Sequence, residues 1–208
     1  GLRRLACVDH VRADTSWVGA FRDAVHEAGR GQPVEVLVGV EAKFRDAYGG
    51  LDLPANMPEV DVILAADHRL PFSTGSLVPR QVKRGIRAGY LTASRVIESV
   101  VTANIRAMEH YRRPEQLVLA HLFSILPKIG MSELQVRDEQ IARMARVAWN
   151  TGTAVEVDER WRCPGPRALQ IFHAHGVQIY CSSDAHSASD IGHYDYVRSV
   201  ALQSRVAA

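Results

Sequence analysis

Cysteine is scarce in this sequence: Cys7, Cys163 and Cys181 are the three among 208 residues, odd in number and far apart. That spacing does not read as a disulfide framework of a small secreted domain, and Cys163 and Cys181 lack a zinc-finger spacing. Long apolar runs are missing too. No stretch approaches the ~20 residues needed to span a bilayer, and no signal-peptide pattern occurs. Charge of one sign is nearly absent in excess, since 25 Lys and Arg face 23 Asp and Glu and leave a formal +2. The basic residues read as dispersed apart from short pairs such as Arg112-Arg113, so no nucleic-acid partner is expected. Neither G-x-x-x-x-G-K-[ST], G-x-G-x-x-G nor G-x-S-x-G occurs, which removes support for nucleotide-cradling loops and for a nucleophile elbow. The expectation is a cytoplasmic chain with no membrane partner.

What is present is an alternation. Apolar content of 47% is enough for one substantial core, and β-favouring runs alternate with longer helical patterns. Strands are expected at 3–9, 34–41, 61–68, 116–121, 153–158 and 177–184. Helices are expected at 15–29, 92–111, 132–150, 166–175 and 189–206, with a hairpin turning at Gly49-Gly50 and a long loop through Pro71, Gly75 and Pro79. Six buried strands joined by helices make a parallel α/β sheet in a single domain over 1–208.

The strand endings carry the chemistry. Five of the six predicted strands finish in residues able to bind a metal: Asp9-His10, Glu41, Asp67-His68, His121 and Asp184-Ala185-His186. The sixth ends in Asp158-Glu159. In a barrel of parallel strands that edge gathers the loops and the reacting groups, so these endings favour a barrel over an open sheet. Any one of these residues has an ordinary structural explanation, such as a hydrogen-bonded core histidine or a capping aspartate. Repeating that explanation at five strand ends is what fails. Imidazole nitrogen with carboxylate oxygen suits Zn, Mn or Fe. His26, His110, His173 and His175 fall on helices outside the pattern, and His193 lies just past the DAH turn.

The succession "GLRRLACVDH", "GVEAKF", "DVILAADH", "LVLAH" and "CSSDAHSASDIGHY" resembles the PHP family, named for polymerase and histidinol phosphatase, from Gly1 to about Tyr194. The resemblance implies a distorted (β/α)7 TIM-like barrel with two or three divalent ions at its C-terminal rim. It implies metal ligation by His10, Glu41, His68, His121, Asp184 and His186, with Glu41 bridging two ions. The family begins with an H-x-H strand and a loop aspartate that have no counterpart after Gly1. The expected fold is therefore a barrel lacking its first strand, belonging to a longer protein. An upstream segment or a second copy in a homo-oligomer is expected to cover the exposed edge.

The resemblance also implies a phosphoesterase acting on a small phosphate monoester, histidinol phosphate among the possibilities, with metal-activated water as nucleophile. Asp184 and His186 are the candidates for orienting that nucleophile or protonating the leaving alcohol. Lys128, Arg160 and Arg162 are candidate phosphate contacts, and Trp161 a candidate pocket wall. Two alternatives stay open: a catalytically weak PHP-type structural or partner-binding module, and another metal-dependent hydrolase on a related barrel.

Overall fold

A computed structural model of the chain describes residues 2–206, with side chains placed through 203. The chain runs β1 (Arg4–Val11), α1 (Val18–Gly29), β2 (Glu35–Lys43), β3 (Val62–Ala66), β4 (Leu70–Phe72), β5 (Gly75–Leu77) and α2 (Pro79–Arg87). It continues through α3 (Ala93–His110), β6 (Gln116–Ala120), α4 (Ile125–Lys128), α5 (Asp138–Thr151), β7 (Ala154–Asp158), α6 (Pro166–Ala174), β8 (Ile179–Ser182) and α7 (Asp195–Val206). Six strands form one parallel sheet in the order β1-β2-β3-β6-β7-β8, and β4 pairs with β5 in a separate antiparallel hairpin.

This order corrects the expected (β/α)7 barrel. Closure requires the last strand to bond to the first, with a tilt and stagger that bring them together. Among the described residues β1 pairs only with β2 and β8 only with β7, so the sheet is a curled half-barrel with two edges. The edges also break the expected run of fully buried strands. Ala6, Asp9 and His10 on β1 and Cys181 on β8 are exposed, whereas β3 is buried at every position.

Each strand of the large sheet lies beside its predecessor in the chain. Right-handed crossovers repeated in one direction place the helices on one face. The side-chain alternation follows from this. Val38, Val40, Ala42, Ile63, Ala65, Leu117, Leu119 and Val155 pack into the main core with the helices. The opposite parity, Val62, Leu64, Ala66, Val118, Ala120 and Ala154, forms a second apolar cluster with Val8 and Tyr180 on the helix-free face. Gly39 belongs to that second face. A Cβ there would lie 2.6 Å from Val62 Cγ2 and 2.8 Å from Val8 Cγ2, so the two flanking valines close over the backbone itself.

The longest helix, α3, is clamped by sequence signals that were legible. Thr92 accepts a hydrogen bond from the Arg95 amide (3.2 Å) as N-cap, and Val96, Ile97, Val100, Val101, Ala107 and Met108 are buried at helical spacing. Three other expectations shift. The loop through Pro71 and Gly75 folds into the β4–β5 hairpin, and Pro79 starts α2 as its first residue, where a missing N–H costs nothing. The helix expected at 132–150 is interrupted by extended backbone at Val136 and Arg137, leaving a 3-10 turn at Glu133–Gln135 before α5. The last helix starts at Asp195, because Gly192 turns the chain with φ of 82°.

The basic residues are less dispersed than expected. Arg80, Lys83, Arg84 and Arg87 form one exposed stripe of α2, and none forms an ion pair among the described residues. No helix among them is long and apolar enough to cross a membrane.

Candidate metal centre

The parallel register delivers the first two groups. His10 on β1 lies opposite Glu41 on β2, and Glu41 lies opposite Leu64 on β3, all on the helix-free face at the C-terminal edge. His68 follows Ala66 by two residues and keeps the same parity. Glu41 is only 8% exposed, His68 is half-buried and His10 is exposed. One ligand atom from each of His10, Glu41 and His68 lies within 4.8 Å of the others, a group that could hold a metal ion. Three imidazoles converge on the single oxygen Glu41 Oε1: His10 Nε2 at 3.4 Å, His121 Nε2 at 3.5 Å, and His68 Nε2 in a short hydrogen bond.

His121 reaches that oxygen by a local departure from strand geometry. It follows Ala120 at the end of β6, and simple alternation would turn its side chain toward the helices. Its φ of 31° turns the side chain back to Glu41. Such backbone costs on the order of 1–3 kcal/mol and concentrates at functional sites. Asp184, with φ of 45°, and Arg162, with φ of 53°, share the feature at the same edge.

A buried carboxylate fixes the His121 ring from behind. Asp67 Oδ1 lies 3.5 Å from His121 Nδ1 and accepts from Ser124 Oγ at 2.7 Å, while Ser124 Oγ lies 3.0 Å from the same Nδ1. Nδ1 thus faces Asp67 and Nε2 faces Glu41. This carboxylate–histidine arrangement orients metal-binding imidazoles. Asp67→Asn should therefore weaken divalent-ion binding by about 10–100-fold while the fold persists. Competition with a chromogenic chelator measures this, and unchanged affinity would show that His121 stands outside the site.

The electrostatics agree with the contacts. Burial would raise the Glu41 carboxyl, but hydrogen bonds from His10, His121 and His68 outweigh it and hold it far below the ordinary range. Glu41 in turn holds the His10 imidazole above its ordinary value. Burial would lower His121, yet Asp67 and Glu41 keep it well above. Two imidazoles with one carboxylate are a donor set that catalytic zinc sites use, with a position left open. The residues present fit a divalent ion.

Asp184 and His186 stand outside the three-residue group. His186 Nδ1 donates to the Asp184 carbonyl oxygen (2.9 Å) and lies 3.6 Å from Asp184 Oδ1, and Arg160 Nε approaches Asp184 Oδ2 at 3.8 Å. The three candidate phosphate contacts all have protein neighbours. Lys128 Nζ sits 3.7 Å from the Trp161 ring centroid and 3.5 Å from Ser124 Oγ, and Arg162 stacks over Tyr196 at 5.6 Å. Trp161 stands beside His121, with ring centroids 6.3 Å apart.

Sequence reasoning passed over Glu156 and noted Asp158 only as a strand end. Both are buried on β7 and have the helix-free parity. Glu156 Oε2 accepts the His121 amide (2.7 Å), and Asp158 Oδ1 accepts the Trp161 amide (2.6 Å). Burial and the neighbouring Asp158 push Glu156 up to about 7. Burial, with Asp184 adding to it, pushes Asp158 up to about 6. The signal was available: "TAVEVD" sets two acids in alternation within a strand otherwise apolar. A scan against protein-family models and a search of curated proteins return no match to this chain.

Proposed function

We propose that this chain is a metal-dependent hydrolase of small phosphate monoesters, working at the C-terminal edge of its sheet. The observation that carries the reading is the convergence of His10, Glu41 and His68, with His121 on the same carboxylate oxygen, from four successive strands. The likeness of these strand endings to the PHP family supports the phosphate ester as the substrate class. A divalent ion held by this group supplies Lewis acidity and offsets negative charge on ester oxygens.

The protein's own groups account for the remaining roles. Lys128 places an ammonium next to Ser124, which in turn touches His121, so a phosphate at this edge meets a positive charge from the protein. His186 donates through Nδ1 to the Asp184 carbonyl, which leaves Nε2 of this exposed ring to face a leaving group. Asp184, flanked by Arg160 and His186, keeps that ring in place. Trp161 shields His121 from water on one side.

Phosphate release from 4-nitrophenyl phosphate and from histidinol phosphate, with protein reloaded with Zn or Mn, tests the reading. Turnover should vanish in His68→Ala together with metal binding, and Lys128→Ala should raise KM more than it lowers kcat. Turnover that survives His68→Ala would overturn the assignment.

A further inference from the structure

Charge is one-sided over residues 68–97. They hold six of the 25 Lys and Arg and none of the 23 Asp and Glu, which leaves 19 cations against 23 anions elsewhere. Four of the six stand on α2. Arg80, Lys83, Arg84 and Arg87 have the i, i+3, i+4, i+7 spacing of a single helix face. All four are exposed, and with Ala88 they line one shallow depression of about 460 Å³.

Helix stability does not account for this stripe. Arg84 and Arg87 in the last turn suit the helix dipole, but Arg80 opposes it in a first turn that has no acid. Arg80 with Arg84 and Lys83 with Arg87 are like charges four residues apart. Arg80 with Lys83 and Arg84 with Arg87 are like charges three apart, and all four pairs disfavour an isolated helix. The buried Val82 and the half-buried Ile86 seat α2 by its opposite face. None of the four cations forms an ion pair among the described residues, so a field of one sign covers the depression.

A fixed aromatic ring stands at the end of the stripe. Gly89, with φ of 75°, reverses the chain after α2, and the Tyr90 and Leu91 amides both donate to the Gly85 carbonyl (2.9 and 3.1 Å). Leu91 packs against Gly85, where a Cβ would lie 2.8 Å from Leu91 Cδ1. The turn is thus pinned on α2, while Tyr90, three residues past Arg87, is 81% exposed.

We propose that this face of α2, with Tyr90, binds single-stranded nucleic acid, the four cations on phosphates and the Tyr90 ring against a base. Guanidinium forks match phosphate oxygens two at a time, and every base offers a flat face to an aromatic ring. A lipid surface would call for apolar side chains beside the cations, and here Val82 and Ile86 turn inward. An acidic peptide would match the charge but leave the Tyr90 ring without a flat partner. The expectation of no nucleic-acid partner rested on basic residues read as dispersed, and the folded chain gathers four of them on one face.

Fluorescence anisotropy of a labelled oligothymidylate, titrated with the full chain over a range of salt, tests this. In wild type, log K should fall against log[salt] with a slope of roughly −2.8, as four phosphate contacts on a single strand give. Lys83→Glu combined with Arg84→Glu should weaken binding by roughly tenfold or more and bring the slope to roughly −1.4. Its thermal midpoint should not fall, because each new glutamate stands three or four residues from both Arg80 and Arg87. Tyr90→Ala should lose about tenfold in affinity and Tyr90→Phe should keep it. Absence of binding by wild type at ~50 mM salt overturns the proposal, as does a slope unchanged in the double variant or an affinity unchanged in Tyr90→Ala. Phosphatidylserine vesicles or polyglutamate bound as tightly as the strand also overturn it, and assign the face to lipid or to an acidic protein. No group named for the metal centre lies on α2, so Zn2+ affinity should be the same in all these variants and the result stands whether or not that centre is upheld.

Discussion

Glu41→Ala should leave a folded protein that no longer retains a divalent ion, with affinity reduced by more than about 100-fold. That estimate exceeds the roughly 10–100-fold expected from losing an outer partner such as Asp67. Among the described residues Glu41 is the only one whose single oxygen touches His10, His68 and His121 together, so its removal takes away both the anionic ligand and the centre on which the rings converge. The fold should tolerate the change. Glu41 sits on the helix-free face, outside the main core, so its removal takes no apolar contact from the packing against the helices. His10→Ala removes an exposed ligand at the sheet edge and should cost less than Glu41→Ala. Isothermal titration with Zn2+ on both variants gives the ranking. Affinity within tenfold of wild type in Glu41→Ala would make Glu41 a structural partner of the histidines rather than a ligand.

The ends of the strands were legible in the sequence because parallel strands of one sheet share a C-terminal edge. Reading where each apolar run stops therefore places His10, Glu41, His68 and His121 side by side before any coordinate is known. Closure was not legible. Six apolar runs in order are compatible with a barrel or a curled open sheet, and the difference lies in whether β1 meets β8, which no local pattern encodes. Asp184 and His186 were placed on the right edge, but the left-handed backbone at Asp184 sets where they point. The direction of Arg162 was equally hidden, since its positive φ and the Tyr196 ring set it. Asp158 was visible as a strand end and unremarkable as a residue. Only the burial of its Oδ2 without a hydrogen-bond partner distinguishes it, and burial is a property of the assembled sheet.

Gly49→Ala should be among the most destabilising single changes in the chain, at about 3–4 kcal/mol. Gly49 is buried in the loop after β2, where Phe44 bridges to Leu51, and its φ is 83°. An alanine there carries about 1–2 kcal/mol of left-handed strain. Its Cβ would also lie 2.2 Å from the Ala107 amide nitrogen and 2.5 Å from the Arg106 carbonyl carbon. Those are backbone atoms of α3 and cannot rotate away, so overpacking adds about 1–3 kcal/mol. Relief requires lifting the loop off α3, breaking the Arg106 bond to the Ala47 carbonyl (3.1 Å) and the stacking of Arg106 on Tyr48. For a chain of this size the thermal midpoint should fall by roughly 6–16 °C. Gly89→Ala is the matched control, because Gly89 has φ of 75° and nothing within 4 Å of a Cβ. It should lose only the strain, about 1–2 kcal/mol. Equal losses in the two variants would mean that the loop yields freely and its seating on α3 contributes little. A clear gap, with Zn2+ affinity of folded Gly49→Ala unchanged, would mean that this contact stabilises the scaffold while β2 alone positions Glu41.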